Sequence, residues 1–342
     1  MKLLLLKITL ILFPPVLFAT EQITPYKFTD EDMKRGSLFY EIPEKSRVTI
    51  KRMDDNAPDI IYYMSKPNSE SYPIAILCGG SCSKDSIFSI IHFHRYLLKE
   101  FLDLDIGVLT VEQWGVDGEK VNKVEFMKNY TRSMRLKDHE QVIEHLKACP
   151  PKKWNGKFIF LGVSEGGPIV TTLTTKYADI TAATINWSGA GDFSWRDELW
   201  YFINHMINYG HWSFKFIAYL PSWMLYSLDW YIPKSQKEHS SAMDETIKNP
   251  TPDLYLAGMT YKYHADALIT YPEIEYSKIL TPYLVVSGTK DSFINSSDAF
   301  VMKAKEAKAP ITYMRVEGMD HYVRKREDVI KSSFDWLKNN ME

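Results

Sequence analysis

The chain has 342 residues, 45% hydrophobic and 25% charged, with a formal net charge of −2. That length suits one large domain or two small ones, and the near-neutral balance excludes a general attraction to nucleic acid or to an anionic membrane surface. The three cysteines, Cys78, Cys82 and Cys149, contain no CxxC and build no disulfide framework.

Residues 1–20 begin with Lys2 and Lys7, run through the apolar stretches Leu3–Leu6 and Ile8–Phe18, and return to polar chain at Thr20-Glu21. The stretch is short for a membrane span, and Pro14-Pro15 would break a spanning helix. It reads as a secretory signal, which predicts a secreted or periplasmic protein without a stable membrane anchor. Residues 21–45 have no clear periodicity and are expected to wrap the surface.

Arg47–Met53 and Asp59–Met64 are two β-like runs joined by turn residues, which predicts a hairpin. Pro73–Leu77 is continuously apolar, the pattern of a strand buried on both faces. It leads into the small-residue loop Cys78-Gly79-Gly80-Ser81-Cys82-Ser83, where Cys78 and Cys82 can either bridge or remain buried thiols. A helix is expected over Ser86–Leu102 and a strand over Ile106–Val111, followed by the loop Glu112 to Gly118. Ser133–Ala148 reads as an amphipathic helix with Leu136, Val142, Ile143 and Leu146 on one face and charge on the other. His139 and His145 are assigned to its surface. His92 and His94, two apart on a helix, face different sides and make no metal site.

The apolar run Lys157–Val163 then ends in Gly162-Val163-Ser164-Glu165-Gly166, and a helix-compatible segment follows. Strand, sharp turn with a serine at its apex, and helix form the layout of a nucleophile elbow. Ala182–Trp187 predicts the next strand. Between about Asp192 and Glu275 the strand–helix alternation stops, and a long aromatic stretch broken by Pro221, Pro233, Pro250 and Pro252 predicts an inserted, mainly helical cap. Alternation resumes with Tyr283–Val286, a helix over Ser297–Ala307, Ile311–Val316, and a last helix over Arg324–Asn340. The expected class is α/β, with a mostly parallel central sheet flanked by helices. The domain reading is signal peptide 1–20, core 21–191 and 276–342, and cap 192–275.

Four motifs stand in order at strand ends: the Gly79-Gly80 loop, Gly162-x-Ser164-x-Gly166, Gly288-x-x-Asp291 and Gly318-x-x-His321. On these the chain resembles the α/β-hydrolase superfamily from about Arg47 to its end. The resemblance implies a serine hydrolase with Ser164 as nucleophile, His321 as base and Asp291 as the acid that orients it. It implies an oxyanion hole from the Glu165 N–H and an N–H of Gly80 or Ser81. This chain has Cys78 where the family often has histidine before the glycines. No metal or organic cofactor is implied.

Glu317 and Asp320 are rival partners for His321 on its own loop. Glu165 fits either a substrate amine or a local salt bridge. Of the cap aromatics, among them Trp195, Trp200, Tyr201, Phe202, Trp212, Phe214, Phe216, Trp223, Tyr226, Trp230 and Tyr231, most are expected in the cap's own core. Trp114, at a strand end, is a candidate substrate contact. The leading expectation is hydrolysis of a carboxylic ester, thioester or amide. The alternatives are an exported aminopeptidase or dipeptidyl peptidase, with Glu165, Glu112 or Asp117 anchoring the amine, and a non-catalytic ligand-binding protein on the same fold.

Overall fold

The apolar runs predicted as strands assemble into one eight-stranded sheet in the computed structural model, which describes residues 46–53, 57–189, 191–209, 219–220 and 231–341. The candidate signal at residues 1–20, the stretch 21–45 and six of the cap aromatics named above (Trp212, Phe214, Phe216, Trp223, Tyr226 and Trp230) lie outside the described residues. Among the described residues no helix is long and apolar enough to cross a membrane.

The chain starts with the antiparallel pair β1 (Arg47–Ile50) and β2 (Ile60–Ser65), as the hairpin pattern predicts. Next come β3 (Tyr72–Cys78), α1 (Ile91–Leu102), β4 (Gly107–Val111), α2 (Lys123–Asn129) and α3 (Arg132–Ala148). Then follow β5 (Trp154–Val163), α4 (Gly166–Lys176) and β6 (Thr181–Trp187). After an insertion the chain ends with β7 (Tyr283–Gly288), α8 (Ile294–Glu306), β8 (Ile311–Val316) and α9 (Glu327–Asn340). The insertion contributes α5 (Trp195–Tyr209), α6 (Gln236–Lys248), a two-stranded hairpin (Tyr255–Leu256 with Met259–Thr260) and the short helix α7 (Tyr261–Ala265).

The strand order is β1-β2-β4-β3-β5-β6-β7-β8. β2 runs antiparallel to β4, and every pair from β4 to β8 is parallel. Parallel neighbours need a crossover between them, which is why helices cover both faces and the central strands are apolar without alternation. One apolar layer joins β3, β4, β5, β6 and β7 to α1 and α9. The other joins β2, β3, β4 and β5 to α3 and α4. Leu199, Ile203, Tyr231, Met243 and Leu256 form a separate small core within the insertion, with Trp195 packed against it; Tyr201 and Phe202 are exposed.

The structure corrects the reading of α3. Lys137, Glu144 and Lys147 are exposed as expected, but not every polar residue of the helix is solvated: Arg132, Arg135, Asp138 and His139 are buried. Burying a charge is costly unless it is paired, and Arg132, Arg135 and Asp138 each have a partner from a distant segment. Arg52 donates two hydrogen bonds to Asp138, at 3.0 and 2.6 Å. Arg135 pairs with Glu165 at 3.2 Å, and Arg132 with Glu198 of α5 at 3.6 Å. The last pair anchors the insertion to the core, where the hydroxyl of Ser296 on α8 also donates to Glu198. His139 is buried rather than superficial and bonds the Arg135 carbonyl through Nδ1.

At the carboxyl end of β7 the backbone comes too close to the segment after β8 for any side chain. A Cβ at Gly288 would lie 2.0 Å from the carbonyl oxygen of Met319. Gly288→Ala should therefore destabilise the fold by about 3 kcal/mol, as overpacking against fixed backbone does, read as a lower urea midpoint with an unchanged slope.

Candidate functional site

Ser164 directly follows β5, and Glu165 separates it from the start of α4; its φ is +52°. A non-glycine residue is strained in that region, and its surroundings hold it there. The Ser164 N–H donates to the Trp187 carbonyl at 2.9 Å, and its own carbonyl accepts from the Gly167 N–H at 2.8 Å. The turn also needs glycine on both sides. A Cβ on Gly162 would lie 2.4 Å from the Gly166 carbonyl oxygen, and one on Gly166 would lie 2.1 Å from the Cys78 oxygen. The elbow expected from the sequence is thus a real close approach of three backbone segments.

The two strand-end loops beyond the insertion converge on this serine. His321 Nε2 lies 3.0 Å from Ser164 Oγ, and His321 Nδ1 lies 2.9 Å from Asp291 Oδ1. An ionised carboxylate only accepts, so Nδ1 carries the proton and donates to Asp291. Nε2 then presents its lone pair to the Ser164 hydroxyl. Asp291 is held in turn by the Phe293 N–H at 3.0 Å. The two loops are laced together by Lys290 N–H to the Met319 carbonyl at 3.0 Å and Gly318 N–H to Thr289 Oγ1 at 2.8 Å. The rival acids are elsewhere: Asp320 accepts from the Tyr322 N–H and from Lys325, and Glu317 is exposed.

The electrostatics follow from burial and pairing. Burial of the Asp291 carboxyl works against its charge, but His321 and the hydrogen bonds outweigh it and hold its pKa below the ordinary carboxylate value. Burial likewise opposes charge on His321, and the Asp291 carboxylate reverses the balance, so the imidazole pKa is raised above 6.5.

Gly80 stands against the serine: a Cβ there would lie 3.3 Å from Ser164 Cβ and 3.8 Å from Oγ. Among the described residues the amide N–H groups of Gly80, Ser81 and Glu165 have no hydrogen-bond acceptor in the protein. Cys78 and Cys82 are free buried thiols, not a disulfide, and burial pushes both up to about 11. Neither is ionised near neutral pH. Aromatic rings border the histidine: Phe293 lies 5.2 Å from the His321 ring, and Phe202 of α5 stacks on Phe293 at 6.0 Å.

Other sequence candidates take different places. Trp114 lies under the Arg52 guanidinium at 3.9 Å and lines a recess of about 410 Å³ that includes none of Ser164, Asp291 or His321. Glu112 is buried, accepting from the Ser89 hydroxyl and from the Ile90 and Gly118 N–H groups; burial raises its pKa to about 7. Asp117 pairs with Arg47. Glu165 is buried against Arg135 and the Tyr130 hydroxyl. Among the described residues no cluster of histidine, cysteine and carboxylate groups could hold a metal ion.

No protein-family model matches the chain, and no curated protein sequence does. Solved structures do. Est1E from Butyrivibrio proteoclasticus is similar over 86% of this chain and 99% of its own, with a TM-score of 0.54 at 15% identity. A highly thermostable carboxyl esterase from Bacillus coagulans is similar over 86% and 96%, with a TM-score of 0.56 at 12% identity. The chain has the α/β-hydrolase fold. Alpha/beta hydrolase domain-containing protein 10 from mouse shares that fold over 87% of this chain and 100% of its own, with a TM-score of 0.53 at 16% identity. The resemblance carried by four short motifs is thereby borne out at the level of the α/β-hydrolase fold.

Sequence reasoning missed Arg135 and Tyr130 behind the elbow. The signal was present: residues 132, 135, 139, 142 and 146 form a ladder of i+3 and i+4 steps continuous with the apolar face. In an NMR titration the His321 ring should lose its proton at a midpoint above 6.5. Asp291→Asn removes the carboxylate and leaves the burial, so that midpoint should fall below the wild-type value.

Proposed function

We propose that the protein is a serine hydrolase acting on a carboxylic ester. The observation that carries this reading is the continuous hydrogen-bonded run from Asp291 through His321 to Ser164 Oγ at the apex of a strained turn. A serine hydroxyl is a poor nucleophile without a base in reach, and here the base is 3.0 Å away. Esterases among the similar structures favour the same chemistry.

In the proposed reaction Ser164 Oγ attacks the ester carbonyl carbon while His321 Nε2 takes the hydroxyl proton. The carbonyl oxygen becomes an oxyanion that accepts from the N–H of Glu165 and from an N–H of Gly80 or Ser81. Asp291 stabilises the imidazolium and holds its orientation. The tetrahedral intermediate collapses and His321 gives its proton to the departing alcohol oxygen. Water then attacks the acyl-enzyme, His321 takes a proton from it, and the carboxylic acid leaves as Ser164 regains its proton. Each step needs only groups of this chain and water.

The segment 192–275 is read as a cap over this site. The stack from Phe202 to Phe293 to His321 supports it, since it brings an aromatic helix face to the edge of the histidine. An apolar wall there suits an acyl or aromatic group. The peptidase alternative needs an unpaired carboxylate for the substrate's amine, and Glu165, Glu112 and Asp117 are each already engaged. Export through residues 1–20 belongs to this reading on sequence grounds.

Ser164→Ala should lower hydrolysis of a p-nitrophenyl ester by about a thousand-fold or more and abolish labelling by a fluorophosphonate probe. Labelling that survives the substitution would remove Ser164 from its role. Activity of the wild type should fall with acidity, with the midpoint above 6.5, because only neutral His321 can accept the serine's proton.

A further inference from the structure

We infer that Arg135, which is buried behind the elbow, is the positioning residue that sets the oxyanion hole, acting with Tyr130 and Glu165. This inference rests on the hydrolase reading above.

The loop Cys78–Cys82 has few backbone bonds of its own, and α3 supplies the missing restraints. Arg135 Nη2 donates to the Gly79 carbonyl at 2.6 Å, and Nη1 to the Gly80 carbonyl at 3.4 Å. The Tyr130 hydroxyl accepts from the Cys82 N–H at 3.0 Å. In a planar trans peptide the C=O of one residue and the N–H of the next point to opposite sides. Fixing the Gly79 and Gly80 carbonyls toward Arg135 therefore turns the N–H groups of Gly80 and Ser81 away from it. Gly80 is the residue packed on Ser164, and both of these N–H groups lack an acceptor in the protein among the described residues.

The same guanidinium holds the second donor. Nη1 pairs with Glu165 Oε1 at 3.2 Å, and the Tyr130 hydroxyl donates to Glu165 Oε2 at 3.1 Å. Glu165 follows the nucleophile and carries the other candidate oxyanion N–H. One buried cation thus ties the two halves of the hole to each other, and Tyr130 closes the ring. Arg135 and Glu165 are both buried, so each needs the other to offset its desolvation. Tyr130 is itself fixed between Phe126 at 4.5 Å and Tyr263 at 5.6 Å, both stacked.

Arg135→Lys tests this because it keeps the charge opposite Glu165 but replaces the planar fork with a single ammonium. That group cannot hold Glu165, Gly79 and Gly80 together. With a p-nitrophenyl ester and sites counted by fluorophosphonate labelling, kcat per site should fall about ten- to a hundred-fold, with KM changed less than about three-fold. The acid limb of the pH profile should not move, since His321 and Asp291 are untouched. Affinity for a trifluoromethyl ketone, whose adduct with Ser164 carries an oxyanion, should fall by the same factor as kcat/KM. Tyr130→Phe retains both ring stacks, should give the same pattern with a fall of about five-fold, and decides the matter if Arg135→Lys does not fold. Turnover per site within about two-fold of wild type in the folded variants overturns the inference. So does a loss that leaves ketone affinity intact. A wild type that neither hydrolyses nor labels overturns the hydrolase reading and this inference with it, whereas an active wild type with indifferent variants overturns this inference alone.

Discussion

The structure depends on the approach of three backbone segments at the rim of the sheet: the end of β3, the turn after β5 and the start of α4. Their carbonyls and Cα atoms come nearer than any side chain permits, as the 2.1 Å between a virtual Gly166 Cβ and the Cys78 oxygen makes plain. Ser164 takes its positive φ at this point of approach. The same proximity brings the β3 loop beside the serine. The serine's placement and that of the loop amides are thus consequences of one packing constraint rather than independent features.

A parallel sheet makes such a convergence available. Every strand from β4 to β8 runs the same way, so all their carboxyl-end loops open on one rim. Ser164, Asp291 and His321, the last two more than a hundred residues beyond the first, reach that rim on different loops. The insertion between β6 and β7 interrupts the chain without disturbing the order, because β6 and β7 still pair directly. It is fastened by a buried ion pair, Arg132 with Glu198, and touches the site through Phe202 and Phe293.

Behind the rim lies a polar layer that a hydrophobic interior would not predict. Arg132, Arg135, Glu165, Glu198 and Tyr130 are buried between α3, the elbow and the insertion. Ion pairs in such surroundings are weak sources of stability relative to apolar packing. What they supply is direction: a guanidinium fork aligns several carbonyl and carboxylate oxygens at once. The layer sits directly beneath backbone whose orientation the proposed chemistry needs.

The sequence by itself determined the strands, the elbow and the order of the acid and histidine loops. These are local: an apolar run buried on both faces needs no partner to be recognised, and a glycine-flanked serine after one is a backbone requirement written in adjacent residues. It also left His321 with three acids to choose from, Glu165 with two roles, and Cys78 and Cys82 either bridged or free. Tertiary structure decided those. Asp291 is the carboxylate bonded to His321 because β7 and β8 are neighbours in register and their loops are laced together. Arg135 is buried because Glu165, thirty residues on, arrives beside it, and Trp114 is turned to Arg52 because β2 pairs with β4. Charge burial is a property of the partner: the ladder of i+3 and i+4 steps marks which face of α3 turns inward, and does not say which distant acid arrives to pair with it.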